Sequence, residues 1–180
     1  MNGRLEVRLA GMGGQGMILA GVILAEAAIR DGKNAVQTQS YGPEARGGAS
    51  RSEVIISDHE IDYPTVLQAD ILLCMSQQAC DKYYSGLKRD GLLIVDKTHV
   101  RRTPTTHAVR VDFTDLAIQE TGKEITASVL ALGFMVGFTD IVSRQALQDA
   151  VVARVPGGTR SMNVDALNRG FAQADELRSQ

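Results

Sequence analysis

Residues 4–30 place the tightest constraint on how this chain folds. Gly11-Met12-Gly13-Gly14-Gln15-Gly16 directly follows a short apolar run and directly precedes a long one. Arg4 to Ala10 alternates apolar and charged residues before turning apolar, which predicts a strand. Gly16 to Arg30 is apolar almost all round and predicts a buried helix, closed by Asp31-Gly32. A strand, a glycine turn and a helix N-terminus in that order form a Rossmann-like first βα unit. Backbone N–H groups point outward there, and the helix dipole favours a phosphate or another anion. On that reading Gly11, Gly13, Gly14 and Gly16 act through backbone N–H groups and Gln15 adds its amide. The competing reading is a tight turn whose glycines only permit close packing, and the glycines alone do not decide between the two.

The continuation departs from the dinucleotide pattern. A second strand, Ala35 to Thr38, ends in Gln39 and Ser40. A nicotinamide-binding fold normally offers Asp or Glu about 20 residues past the glycines, to hold the ribose hydroxyls. Instead Ser40 to Gly48 is a loop rich in Gly and Pro that carries Ser40, Tyr41, Glu44, Arg46 and Gly47. It lies past the end of a strand, so it is expected on the same sheet edge as the glycine turn, where open α/β sheets bind ligands. The forked donors of Arg46, and of Arg51 beyond it, suit a phosphate or carboxylate. The loop reads either as a polar clamp for a ligand or neighbouring subunit, or as a surface loop closed by a Glu44–Arg46 contact.

Ser50 to Ser57 predicts a half-buried strand, and the short link before it leaves no room for a crossover helix, so it is expected to run antiparallel. Buried strands follow at Ile71 to Met75, Gly91 to Val95 and Ala108 to Val111. Helices are expected from the Ser76 cap to Tyr84, then over Phe113–Glu120, Thr126–Phe138, Ser143–Arg154 and Val164–Leu177. The sum is α/β: a three-layer α/β/α sandwich with a mostly parallel sheet, in one domain over 1–180.

Composition then narrows the function. A formal charge of −2 and 4% aromatic residues argue against a nucleic-acid binder. The longest apolar run, Ala127 to Phe138, is too short to span a bilayer, and the first residues carry no signal-peptide core, so a cytoplasmic protein is expected with no membrane partner. Cys74 and Cys80, spaced C-x5-C, are too few for a metal or iron–sulfur site and read as free thiols of a reducing compartment. His59, His99 and His107 are scattered, and the basic stretch Thr98 to Thr106 reads as solvated surface. No catalytic residue and no metal ligand is assigned. Gly133 and Gly137, four apart, let another helix approach closely, and the apolar surplus of this segment and the first helix predicts that part of it forms a protein interface.

At GMGGQGMILAG (11–21) and QTQSYGPEARGGASRSEVIISD (37–58) the chain resembles the gamma subunit of 2-oxoacid:ferredoxin oxidoreductases. IDYP (61–64), ADILLCMSQQA (69–79) and GLLIVD (91–96) fit as well, and within the family the chain looks closest to the 2-oxoglutarate enzyme. The resemblance implies an assembly that oxidatively decarboxylates a 2-oxoacid, transfers the acyl group to coenzyme A and reduces ferredoxin. It implies thiamine diphosphate and magnesium on alpha and beta partners, and iron–sulfur clusters on a delta subunit. This chain is then a non-catalytic member of a hetero-oligomer, structural and part of the wall that receives coenzyme A. The residues themselves leave two alternatives: a stand-alone nucleotide-binding or NAD(P)-dependent reductase, with an Arg in place of the missing acid, and a scaffold that binds no ligand.

Overall fold

The computed structural model describes residues 3–40 and 48–179. Strands β1 (Arg4–Met12), β2 (Asn34–Ser40), β3 (Ala49–Ser57), β4 (Ala69–Cys74), β5 (Leu87–Asp96) and β6 (Val109–Val111) form one sheet in the order β2-β3-β1-β4-β5-β6. β1, β4, β5 and β6 pair in parallel, while β3 lies antiparallel between β2 and β1, as its short connection requires. The helices are α1 (Met17–Arg30), α2 (Gln77–Tyr83), α3 (Phe113–Thr121), α4 (Ala127–Thr139), α5 (Arg144–Arg154) and α6 (Arg160–Arg178).

Strand alternation sorts the two faces of the sheet. Val7, Leu9, Val54, Ile56, Ile71, Leu73 and Ile94 point to one side and share a core with α1, α3, α4, α5 and α6. Ala10, Leu72, Cys74, Leu93 and Val95 point to the other and meet Ala79, Cys80 and Tyr83 of α2, with Val100 from the strap that follows β5. Among the described residues the three layers are therefore unequal: five helices on one face, one short helix and loops on the second.

Helix α4 is the centre of the thick layer. Every residue from Ala127 to Gly137 is buried, so this helix adds nothing to the expected interface, while Leu19 and Ile29 of α1 stay exposed. The apolar residues of α4 are taken up by packing within the fold. The small residues serve the same end. A side chain on Gly133 would place Cβ 2.5 Å from the Leu167 carbonyl oxygen of α6, and one on Gly170 would collide with the Leu130 carbonyl of α4.

Two polar devices tie the layers together. Arg8 on β1 and Glu53 on β3 stand opposite each other in register, both almost fully buried, with Arg8 Nε donating to Glu53 Oε1 at 2.7 Å. At the far end of α1, the Asp31 carboxylate accepts from the Ser143 hydroxyl (2.7 Å) and backbone N–H (2.5 Å), while Ser143 itself caps α5 through Ala146 N–H. Two boundaries differ from expectation. β5 begins at Leu87, because its polar first half pairs with β4 through an irregular register at Ala69–Ile71. α6 begins at Arg160, where exposed Arg160 and Ser161 give no apolar period to read.

Candidate functional site

The sheet's topology fixes where a ligand is expected. α1 packs on one face between β1 and β2, whereas α2 packs on the opposite face after β4, so connections diverge between neighbouring strands β1 and β4. Ligands of open α/β sheets sit at the carboxyl ends of the strands at such a point. The glycine turn occupies it.

The turn is held by its own hydrogen bonds. Gln15 N–H donates to the Met12 carbonyl at 3.1 Å, and Gly13 N–H donates to the Gly48 carbonyl at 3.2 Å, which joins the turn to the end of the 40–48 loop. The Gln15 side chain bridges two elements. Its Oε1 accepts from Met12 N–H at 2.7 Å, and its Nε2 donates to the Met75 carbonyl at the end of β4, 3.0 Å away. Gly11 lies inside β1 opposite Ser50 and is buried. Gly14 and Gly16 take left-handed backbone conformations, with φ of 94° and 79°, that an L side chain rarely adopts.

The five predicted residues of the turn therefore divide. Gly11, Gly13 and Gln15 have partners inside the protein. The N–H groups of Gly14 and Gly16 have no acceptor among the described residues, and no side chain caps α1. These donors lie at the carboxyl end of β1 together with the first N–H groups of the 14-residue α1. Of the second loop, Ser40 is the exposed last residue of β2, opposite Arg51. Tyr41, Glu44, Arg46 and Gly47 lie outside the described residues. Arg51 sits with its guanidinium 5.4 Å from the centre of the Tyr83 ring, and its Nε is buried without a hydrogen-bond partner.

Beside the turn lies a cavity of about 310 Å³, lined by Gly14, Gln15, Met75, Thr114, Glu124, Ile125 and Ala127. Sequence reasoning missed its far wall, because Thr114 and Glu124 come from segments about a hundred residues downstream with no motif of their own. Thr114 is fixed by Asp96 at the end of β5. The Thr114 hydroxyl donates to Asp96 Oδ2 at 2.5 Å, and Thr98 N–H donates to Oδ1 at 3.2 Å. Burial pushes the Asp96 carboxyl above its ordinary value, against the opposing pull of the bonds from Thr114 and Thr98. On the rim, His99 Nε2 stands 3.6 Å from Glu124 Oε1. A second cavity of about 210 Å³ opens beyond Ile125, walled by Leu19, Val129, Val155, Pro156 and Met162. Met12, Leu19 and Ile125 are exposed here, so the turn is bordered by bare apolar side chains.

Cys74 and Cys80 are both free and buried on the second face. The contact between the two thiols raises Cys74, with burial adding to the rise, and lowers Cys80 against the opposing pull of burial. Among the described residues, no group of three or more His, Cys, Asp and Glu side chains is placed to hold a metal ion. Among the described residues, no helix is long and apolar enough to cross a membrane. The arrangement is suited to holding an anionic ligand against a backbone cradle.

Comparison with known proteins agrees in extent and in kind. Residues 6–173 match the family described as pyruvate ferredoxin/flavodoxin oxidoreductase. The chain is 48% identical to the 2-oxoglutarate synthase subunit KorC of Methanocaldococcus jannaschii, over 97% of this chain and 96% of that one. It is 29% identical to the pyruvate synthase subunit PorC of Methanothermobacter thermautotrophicus, over 97% and 98% of the two chains. Among solved structures, the gamma subunit of a keto/oxoacid ferredoxin oxidoreductase from Geobacter sulfurreducens superposes with a TM-score of 0.87 at 48% identity, over 97% of this chain and 98% of that one. A 2-oxoglutarate:ferredoxin oxidoreductase from Magnetococcus marinus, with 2-oxoglutarate, coenzyme A and succinyl-CoA bound, shares the fold at a TM-score of 0.87 and 19% identity, over 98% of this chain and 32% of that longer one. The chain belongs to the pyruvate ferredoxin/flavodoxin oxidoreductase family and matches its separate gamma-type subunits from end to end.

Proposed function

We propose that this chain is the gamma-type subunit of a multi-subunit 2-oxoglutarate:ferredoxin oxidoreductase. The assembly oxidatively decarboxylates 2-oxoglutarate, transfers the succinyl group to coenzyme A and passes the electrons to ferredoxin. The observation that carries the substrate is a step in identity. Relatives named for 2-oxoglutarate reach 48% in two methanogens, while those named for pyruvate or ketoisovalerate fall between 26% and 30%.

The chain contributes binding and shape, as one domain over 1–180. The open N–H groups of Gly14 and Gly16 and the start of α1 receive a phosphate of coenzyme A, and the adjoining cavity of about 310 Å³ takes the arm that leads to the thiol. Ser40, Tyr41, Glu44, Arg46 and Gly47 close the same edge as a polar clamp. Alpha and beta partners carry thiamine diphosphate with magnesium, and a delta subunit carries iron–sulfur clusters. The exposed apolar residues around the turn, Met12, Leu19 and Ile125, dock the alpha and beta side. The free thiols Cys74 and Cys80 fit a reducing cytoplasm.

The test is to isolate the tagged protein from its own cells, identify the chains that accompany it, and assay the eluate with coenzyme A and a low-potential acceptor. Turnover of 2-oxoglutarate well above pyruvate and 2-oxoisovalerate is expected. A chain that emerges alone and binds NADPH overturns the reading in favour of a reductase.

A further inference from the structure

The two edges of the sheet are built differently. β6 is three residues long and carries Arg110 at its centre. A short, charged strand is a common way for an edge to avoid pairing with another chain. β2, at the opposite edge, has seven residues, Asn-Ala-Val-Gln-Thr-Gln-Ser, with neither a charge nor a proline. It pairs with β3 through seven consecutive residue pairs, with no shift of register. Among the described residues no strand lies on its other side, so its outward backbone groups form an open template for a further strand.

An apolar helix face lines the same edge. Met17 of α1 lies against Gly11 of β1, whereas Gly21 lies against Ser52 of β3 and Gln37 of β2. Those two positions differ by about 40° around the helix. Turning further in that sense brings up Ala25, Ile18, Ile29 and Val22, which therefore look out past β2. Ile18 and Val22 are half-buried and Ile29 is 58% exposed. The charges of α1 do not interrupt this stripe. Glu26 and Arg30 pair with each other, and Glu26 also pairs with Arg154. Asp31 beyond the helix is held by Ser143, and Lys33 precedes the strand.

Strand and stripe are both self-complementary. An antiparallel pair of β2 strands centred on Gln37 sets Val36 opposite Thr38 of the second copy, twice, and Ala35 opposite Gln39. Val36 and Thr38 lie on the sheet face away from α1, because Ala35 packs into the α1 core and Gln37 donates to Ser52 beneath α1. Such cross-strand pairs of β-branched side chains favour pairing. The two-fold axis of this arrangement is normal to the sheet. It places both α1 helices on one side, antiparallel, with apolar stripe against apolar stripe. Any extended segment satisfies the backbone of β2. A copy of this chain also brings, by symmetry, a second apolar helix face to the first.

We infer that this chain pairs with a second copy of itself across β2, joining two six-stranded sheets into one with the α1 helices packed over the joint. The pairing leaves the glycine turn and its cavity open, since these lie at the carboxyl ends of β1 and β4 rather than along the β2 edge.

The test follows the full chain by sedimentation equilibrium and by amide hydrogen exchange of residues 34–40, each at low and high protein concentration. A mass of two chains at high concentration is expected, with exchange in β2 slowing as the dimer forms. The exchange measurement needs no variant. Ile29→Glu with Thr38→Lys changes two exposed side chains, one on the stripe and one on the strand, and should raise the dissociation constant about a hundredfold. Ile118→Glu, at an exposed position on α3, should leave it unaltered. A chain that stays monomeric at high concentration overturns the inference. So does a dimer that the double variant leaves intact, or one in which β2 exchanges as fast as in the monomer. Protection of β2 that appears only in the multi-subunit assembly, with the chain alone monomeric, gives the edge to a different subunit and likewise overturns it.

Discussion

Gly13 offers a clean test of whether the glycine turn binds a phosphate. A Cβ built there meets nothing within 4 Å, and its φ lies outside the left-handed region. Gly13→Asp is therefore expected to change folding stability by no more than about 0.5 kcal/mol, as at an ordinary surface position. For the ligand the change is large. Two unit charges about 4 Å apart repel by about 1 kcal/mol in bulk water and about 4 kcal/mol near a protein surface. A middle value of about 2 kcal/mol corresponds to a rise of about thirtyfold in the KM for coenzyme A. Gly13→Ala, which adds no charge, should raise it far less. The assay is KM for coenzyme A in the assembled enzyme at low and high salt, beside thermal unfolding of the same preparations. The effect of the aspartate should shrink as salt rises. An unaltered melting temperature with an unaltered coenzyme A KM at low salt would refute the reasoning and leave the turn a packing device.

Gln15→Leu removes the bridge from the turn to β4 and leaves Met12 N–H and the Met75 carbonyl without their partner. A loss of about 1–2 kcal/mol is expected, read as a fall of several degrees in melting temperature, with coenzyme A KM raised and kcat little changed. Gly170→Ala forces backbone of α6 away from the Leu130 carbonyl, and should cost about 3 kcal/mol or more, read by denaturant unfolding against Gly157→Ala, whose Cβ meets nothing. Glu26 carries a pH signature. Burial would raise its carboxyl, but hydrogen bonds from Arg30 and Arg154 outweigh burial and hold it below the ordinary 4.5. A lowered folded value means stability present above the ordinary carboxylate range and lost as pH falls through the folded value. Glu26→Gln should flatten the acid limb of the stability profile, measured by urea unfolding between about pH 2 and 6.

Much of the fold was legible because its signals are local. Each strand of the core announces itself by apolar runs such as Ile71–Cys74, and Ser76 and Ser143 act as the caps their positions predict. The antiparallel β3 followed from loop length alone. What stayed hidden depends on partners far apart in the chain. The apolar Ala127–Phe138 reads equally as core or interface until α6 is seen lying against it. In the site, the glycines were visible as a motif. The use of the Gln15 amide was not, since its acceptor Met75 is 60 residues away. The cavity wall at Thr114 was equally hidden, because it depends on a bond to Asp96, 18 residues earlier in sequence and on another element.

The buried Arg8–Glu53 pair has a consequence for how the sheet assembles. β3 is zipped on both sides, to β1 and to β2, along nine and seven residue pairs. Sliding β3 by one residue would turn Glu53 into the layer of Val54 and Ile56 beneath α1, and would strand Arg8 without its acid. Separating such a pair costs about 3–5 kcal/mol, since each charge is then bare in an apolar setting. The two side chains thus act as a key cut for one alignment. A mispaired sheet meets its penalty as the helices close over it and take water away from the stranded charges.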